Sequence, residues 1–307
     1  MSLILQQSLT IGAITFPYVR AVKLESSREA AADKLTITIP RYSNLKKDQI
    51  KKGDSVTWSA GYKSTGVVPE FDGKVETISS NAPLEIIAYD PMRELMFKQM
   101  KRNYYNKPLD MILADMGVAD FEIRDNPGRV SLRCYGRSAR WALSLLKNYG
   151  LYAYYQAGVL IIDTDEYPTD SGNVFQFQHS IIDSDELGIT EEKPMKITVR
   201  CEVAKTGVIR QASYGTGEPS EIIDVEEMSS SSLYKKAKEI YQEKIGAQFT
   251  GSFTTFGYPS TRHSELIKIV DRDEPNRTRT TLVSAIEKTF DSQQASYRQK
   301  IYPGRWL

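Results

Sequence analysis

The chain has 307 residues with 40 Lys plus Arg against 39 Asp plus Glu, a net charge of +1, and 40% apolar and 26% charged residues. Those values describe an ordinary globular protein. They exclude a disordered polyampholyte, a collagen-like repeat and a disulfide scaffold, and they argue against a protein whose main task is coating nucleic acid. The length predicts more than one core. No stretch approaches the ~20 consecutive apolar residues of a membrane span, and no Lys or Arg precedes Arg20 to open a secretory signal. Cys134 and Cys201 are far apart and show no metal or redox spacing, so they read as buried thiols of a protein made in a reducing cytoplasm.

Residues 1–90 read as β, because alternation at period two puts one side-chain set on a core face. Leu35, Ile37 and Ile39 alternate with Thr36 and Thr38, Val56 and Trp58 with Ser55, Thr57 and Ser59, and Leu84, Ile86 and Ala88 with Glu85, Ile87 and Tyr89. Pro40, Lys52-Gly53-Asp54, Asp72-Gly73, and Asn81 with Pro83 read as the turns between them. Short strands at this spacing predict a small barrel or sandwich.

The period changes at Asp90-Pro91, an N-cap followed by proline, with Met92, Leu95 and Met96 on one helical face. A second helix starts at Pro108, carries Leu109, Ile112, Leu113 and Met116 at helical spacing and stops at Gly117. Ser138 caps a third, with Ala142, Leu145, Leu146 and Tyr149 before Gly150. Leu151 to Tyr155, the turn Gln156-Ala157-Gly158, and Val159 to Asp163 form a hairpin. Residues 91–190 are therefore expected to form an α+β insertion.

In residues 191–307 the β pattern returns. Ile197 and Val199 alternate with polar residues, and Ile267 and Ile269 flank Lys268. One helix, capped within Ser229 to Ser232, interrupts it, with Leu233, Ala237, Ile240 and Tyr241 as its apolar face. A final hairpin pairs Thr281 to Phe290 with Tyr297 to Tyr302 and puts Tyr297, Gln299 and Ile301 on one face. The expected class is mainly β, with two similar small β-barrels flanking an α+β domain. The stretches Lys52 to Trp58 and Arg262 to Lys268 each place a polar turn before a strand, a layout that fits either duplication or two unrelated small barrels.

Chemistry is sparse. His179 reads as a strand-end surface residue and His263 as a turn residue, and neither stands beside a nucleophile elbow or a Cys/His site. Asp163, Asp165 and Glu166, or Asp183, Asp185 and Glu186, could supply the paired acids of a peptidoglycan-cleaving enzyme. Both clusters fall at strand ends, where solvated turn residues are the favoured reading, since a catalytic acid needs burial or a like-charge neighbour to raise its pKa. Gly215-Thr216-Gly217-Glu218 lacks the lysine of a phosphate loop and reads as a turn. No metal or cofactor site is expected. The most basic window runs from Lys98 to Lys107, where Lys101 and Arg102 could contact nucleic acid in a channel or form a solvated helix end. Eighteen tyrosines against ten phenylalanines favour an assembly component, or else a carbohydrate-binding β module.

Taken in order, several pieces resemble one family. They are Asp72-Gly73-Lys74-Val75 leading to Leu84 through Asp90, Lys107 through Leu113, Ser138 through Leu143, Leu146 through Tyr155, Gly158-Val159-Leu160, Phe256-Gly257-Tyr258-Pro259, Arg262-His263 and Ser296 through Ile301. The chain resembles the baseplate hub proteins of contractile-tail phages, the late-control protein D family, and the hub half of type VI secretion spike proteins. The resemblance implies a non-enzymatic homotrimer whose six barrels form a ring, adapting a hexameric tail tube to a trimeric spike in the virion tail baseplate, with DNA able to pass through the central channel. Some relatives carry a lysozyme-like domain or a β-helical spike after this point; here neither precedes Leu307, so the spike is expected to be another chain. The ending Tyr302 to Leu307 includes Arg305 and Trp306, either to dock that spike or to fold onto its own barrel.

Overall fold

The computed structural model describes residues 4–306 except 30–31, 41–48, 80–81, 165–167, 185, 191–194, 204–205, 219, 226 and 245–247. Alternating side chains draw the first strands into one curled sheet: β1 (Leu5–Ile11), β2 (Ile14–Phe16), β3 (Ala21–Ser27), β4 (Lys34–Ile39), β5 (Ser55–Tyr62), β6 (Gly66–Ile78) and β7 (Leu84–Tyr89). Their inward residues, Leu9, Val22, Leu35, Ile37, Val56, Trp58, Ile86 and Ala88 among them, meet in one core. Asp72-Gly73, expected as a turn, lies inside β6. A Cβ on Gly73 would stand 2.2 Å from the Tyr89 carbonyl oxygen, so this glycine serves a close crossing of two strands rather than a reversal.

The insertion follows with α1 (Met92–Phe97), β8 (Tyr104–Pro108), α2 (Leu109–Asp115), β9 (Phe121–Ile123), β10 (Arg129–Leu132), α3 (Ala139–Ser144), β11 (Leu151–Gln156) and β12 (Val159–Thr164). Ser138 caps α3 as expected, whereas Pro91 rather than Asp90 occupies the cap position of α1. Asp90 Oδ1 accepts from the Met92 amide at 3.1 Å, and Ser138 Oγ accepts from the Trp141 amide at 3.2 Å. The β11–β12 turn uses positive φ at both Ala157 (49°) and Gly158 (81°), as a tight two-residue hairpin requires. β9, which period alone did not reveal, adds parallel to β12. Leu109, Ile112, Leu113, Leu146, Leu160 and Ile162 lie in this unit's own core.

The remaining strands are β13 (Thr169–Gln176), β14 (Ile181–Asp183), β15 (Gly188–Thr190), β16 (Lys196–Glu202), β17 (Ile209–Tyr214) and β18 (Ser220–Asp224). Then come α4 (Ser230–Lys244), β19 (Gln248–Thr250), β20 (Phe253–Phe256), β21 (Glu265–Val270), β22 (Arg279–Asp291) and β23 (Ser296–Trp306). β13, β14 and β15 pair with β21, β20 and β19, so strands on both sides of the expected 190/191 boundary share one sheet. A two-residue irregularity between Asp170 and Asn173 breaks the alternation there. β16, β17 and β18 form a separate sheet, because Ile197, Val199 and Cys201 face Leu233, Ala237 and Ile240 of α4 in a core of their own.

Setting aside β2 and the β15–β19 pair, the first half runs β1-β5-β6-β7-β4-β3 and the second β13-β21-β22-β23-β20-β14. Counted in chain order within each half, both read first, fourth, fifth, sixth, third, second. The corresponding pairs agree in direction except at the first strand, since β1 is antiparallel to β5 and β13 parallel to β21. The mainly β class with α-containing segments is thus observed, and the two expected barrels correspond to two stretches of one sheet with the same strand order.

The halves share one continuous sheet. β22 pairs with β21 at residues 279–282 and with β3 at residues 285–291. Val283, Ile286 and Ile301 lie in the second core, whereas Phe290 and Tyr297, at the tip of the same hairpin, lie in the first. Phe290→Ala should therefore cost about 3–5 kcal/mol and expose β3 and β4 to hydrogen exchange. Protection lost only in β20–β23 would contradict this shared core.

Candidate functional site at the junction of the halves

On β22, Ile286, Lys288 and Phe290 share the buried face, and Lys288 sits between the two apolar cores. A lysine there needs a partner, because a lone buried ammonium is too costly to retain its charge. Glu70 of β6 supplies it, and both side chains are 1% exposed. Neighbouring hydroxyls bond to both members of the pair. Lys288 Nζ donates to Ser260 Oγ at 2.7 Å, while Ser260 and Tyr297 hydroxyls both donate to Glu70 Oε1 at 2.8 Å. Tyr62 OH donates to the Tyr297 carbonyl at 2.9 Å, and Arg262 Nη2 donates to the Pro69 carbonyl at 2.9 Å. Burial pulls the Lys288 ammonium below its ordinary range against the pull of Glu70, and burial first, Glu70 second, hold the Tyr297 hydroxyl well above its own.

A cavity of about 180 Å³ opens beside this cluster. Trp58 and Asp72 of the first half, Tyr155 and Gly158 of the insertion hairpin, and Thr261 and His263 of the second half stand in its wall, so all three units meet there. His263 lies in the expected turn, at residues 263–264, yet is only 6% exposed. Its Nδ1 lies 3.1 Å from Ser264 Oγ and its ring packs edge-on against Tyr154 at 4.7 Å. Burial, with Arg28 and Arg262 nearby, depresses its pKa to about 3. Tyr154 in turn donates to Asp163 Oδ2 at 3.1 Å, where Arg124 Nη1 also donates at 3.1 Å.

The other expected residues fall elsewhere. Asp163 is not a solvated turn acid but 3% exposed and paired with Arg124. Asp165, Glu166 and Asp185 lie outside the described residues. Glu186 pairs with Lys300 at 2.8 Å and accepts from Ser252 at 2.7 Å, and Asp183 is on an exposed strand. His179 is exposed in a turn, and Gly215 to Gly217 lie in the connection between β17 and β18, which flank β16 on opposite sides. Lys101 is exposed, while Arg102 is bonded to Asp115 and stacks 5.4 Å over Tyr104. Trp306 folds onto its own sheet, packing edge-on against Phe249 at 5.4 Å with Arg279 at 4.9 Å above its ring. The backbone of Arg305 pairs with Gln248. Cys134 and Cys201 are both buried and unbridged. The Glu70–Lys288 cluster escaped the sequence reading, although a lysine on the apolar side of the alternation Ile286, Lys288, Phe290 signals a buried carboxylate elsewhere.

Two measurements test this junction. Lys288→Met leaves Glu70 uncompensated and should lower stability by about 3–5 kcal/mol, whereas adding Glu70→Gln should restore much of it. Additive losses in a urea double-mutant cycle would show that the two are not coupled. For His263, the unfolded chain takes up a proton near pH 6.5 and the folded chain only near 3, so this residue removes stability as pH falls across that window. His263→Gln should flatten that loss, by up to about 1.4 kcal/mol per pH unit. Asp33, pushed up to about 6 by burial, acts in the opposite sense, so variant and parent are compared at each pH.

No protein-family model and no curated protein matches the chain. Solved structures do. A tail protein from Neisseria meningitidis MC58 aligns with a TM-score of 0.72 at 13% identity, covering 98% of this chain and 96% of that one. The 43 kDa tail protein of prophage MuSo2 from Shewanella oneidensis gives 0.71 at 16% identity, with 98% of each chain covered. An Escherichia coli type VI secretion component, described as structurally similar to the T4 bacteriophage tail proteins gp27 and gp5, gives 0.65 at 11% identity over 97% of this chain and 76% of that one. Over nearly its whole length, the chain therefore has the fold of phage tail proteins and of a T4 tail-like type VI secretion component.

Proposed function

We propose that the protein is a structural baseplate hub of a phage tail or a related injection device. Three copies close into a ring of six half-molecules that joins a hexameric tail tube on one face to a trimeric spike on the other. One observation carries this reading: both halves of one polypeptide have the same strand order, and they are joined side by side through β3 and β22. Such a contact is heterologous, since the second strand of one half meets the fifth of the other. Heterologous contacts that turn by a constant angle either close into rings or run on as filaments. A threefold set of doubled units offers six similar positions to a tube and three identical ones to a spike, which is the symmetry match a hub needs.

In this reading the partners are further copies of the chain, a tail tube or other baseplate protein, and a separate spike. DNA passes through the ring's central channel, and the working location is the virion tail. Arg102 is engaged with Asp115, so it is not assigned a channel contact. The role is mechanical. The buried ion pair and the fused sheet make each subunit stiff, which suits a part that transmits force between tube and spike.

Light scattering over a concentration series tests the assembly, with an expected mass of three times the 34.7 kDa chain and a six-lobed ring in electron micrographs. A chain that stays single at every concentration, and also in the presence of tube and spike proteins, would sink the proposal.

A further inference from the structure

The internal repeat shows how one of its own sheet edges is covered, and among the described residues no strand covers the corresponding edges. β22 loses its partner β21 after Leu282, and β3 takes the vacated side at residues 285–291. In the first half, β6 plays the part of β22. It loses β5 after Lys74, and only the Asp54 carbonyl and the Gly53 amide reach Val75, at 2.9 and 2.8 Å. Beyond that point Thr77 and Ile78 have β7 on one side, Glu76 being the extra residue of a bulge, and among the described residues this stretch has no strand on the other side. β14 is the counterpart of β3. It is bonded to β20 and, among the described residues, to no strand on its outer edge.

The two edges are the same length, and the central residue of each, Thr77 and Ile182, is exposed, Ile182 by 47%. Unpaired edge amides and carbonyls are a ready template for strand addition. Had β14 met β6 of its own chain, the two halves would have closed on each other. They do not, so the occupant is another copy.

We infer that β14 of one subunit adds antiparallel to residues 76–78 of β6 in the next, repeating between chains the β3–β22 contact made within each chain. The inference rests on the proposed ring and assigns its interface. With Ile182 opposite Thr77, Ile181 meets Ile78, an apolar pair. Asp183 meets Glu76, whose carboxylate already has Lys52 at 3.1 Å and Arg93 at 3.5 Å, so two cations balance two carboxylates there. The intrachain junction spans seven residues of β3 and the interchain one three of β14, so the ring opens between subunits before any subunit comes apart.

The double variant Thr77→Cys with Ile182→Cys, oxidised in dilute solution, should give covalent species up to three chains on a non-reducing gel. Each single variant should give none, and reduction should return the single chain. As a second measurement, Ile182→Pro removes one edge amide and should weaken association roughly tenfold or more without changing the circular dichroism spectrum. Trimers by mass that neither cross-link nor respond to the proline would overturn this edge assignment and leave the ring standing. Absence of any assembly would overturn both.

Discussion

The fold depends on one hairpin serving two cores. A strand of 13 residues such as β22 extends about 43 Å at ~3.3 Å per residue, enough to leave one curled sheet and enter the other. Period-two alternation keeps the same face buried along the way. Ile286 therefore packs in the second core and Phe290 in the first, and the residue between them has nowhere polar to go. That residue is Lys288. Its burial forces Glu70 inward, and Glu70 in turn fixes Ser260 and Tyr297. The charge cluster is a consequence of the shared strand, and it registers the halves against each other more specifically than apolar contact alone.

The insertion is tied into the same place. Its β11–β12 hairpin reaches the cavity wall, where Tyr154 connects Asp163 and Arg124 to His263 of the second half. On its other side Tyr152 donates to Glu239 of α4 at 2.8 Å, and Lys236 joins Glu239 at 2.9 Å, linking the two α-containing units to each other. Polar side chains, each with several partners, thus mark the borders between units, while apolar clusters fill their interiors. Borders of this kind resist separation, since removing one partner leaves the others buried and unsatisfied.

Local signals in the chain were legible where local physics decides. Asp90, Ser138, Gly117 and Gly150 marked helix ends because capping depends on a few adjacent residues. The final hairpin and the β11–β12 turn were legible from alternation and positive-φ residues. Asp72-Gly73 misled because a glycine required for a close strand crossing looks the same as a glycine required for a turn. Asp163 reads as a solvated turn acid and is buried, while His263 does stand in the turn its neighbours predict but is buried there as well. Both are polar residues next to turn chemistry, and only distant elements, Arg124 for one and Tyr154 for the other, bury them. Residues 169–190 were assigned to the wrong neighbours, since their sheet partners come much later in the chain.

By itself the amino-acid sequence determined the main alternating strands, the approximate places where helices begin and end, and the order of pieces that resembles tail hub proteins. Tertiary structure decided which strands pair, that the two halves repeat one strand order, and that Glu70 and Lys288 meet inside. The physical reason is range. Caps and alternation act over three or four residues, whereas sheet pairing and the compensation of a buried charge depend on groups that only folding brings together.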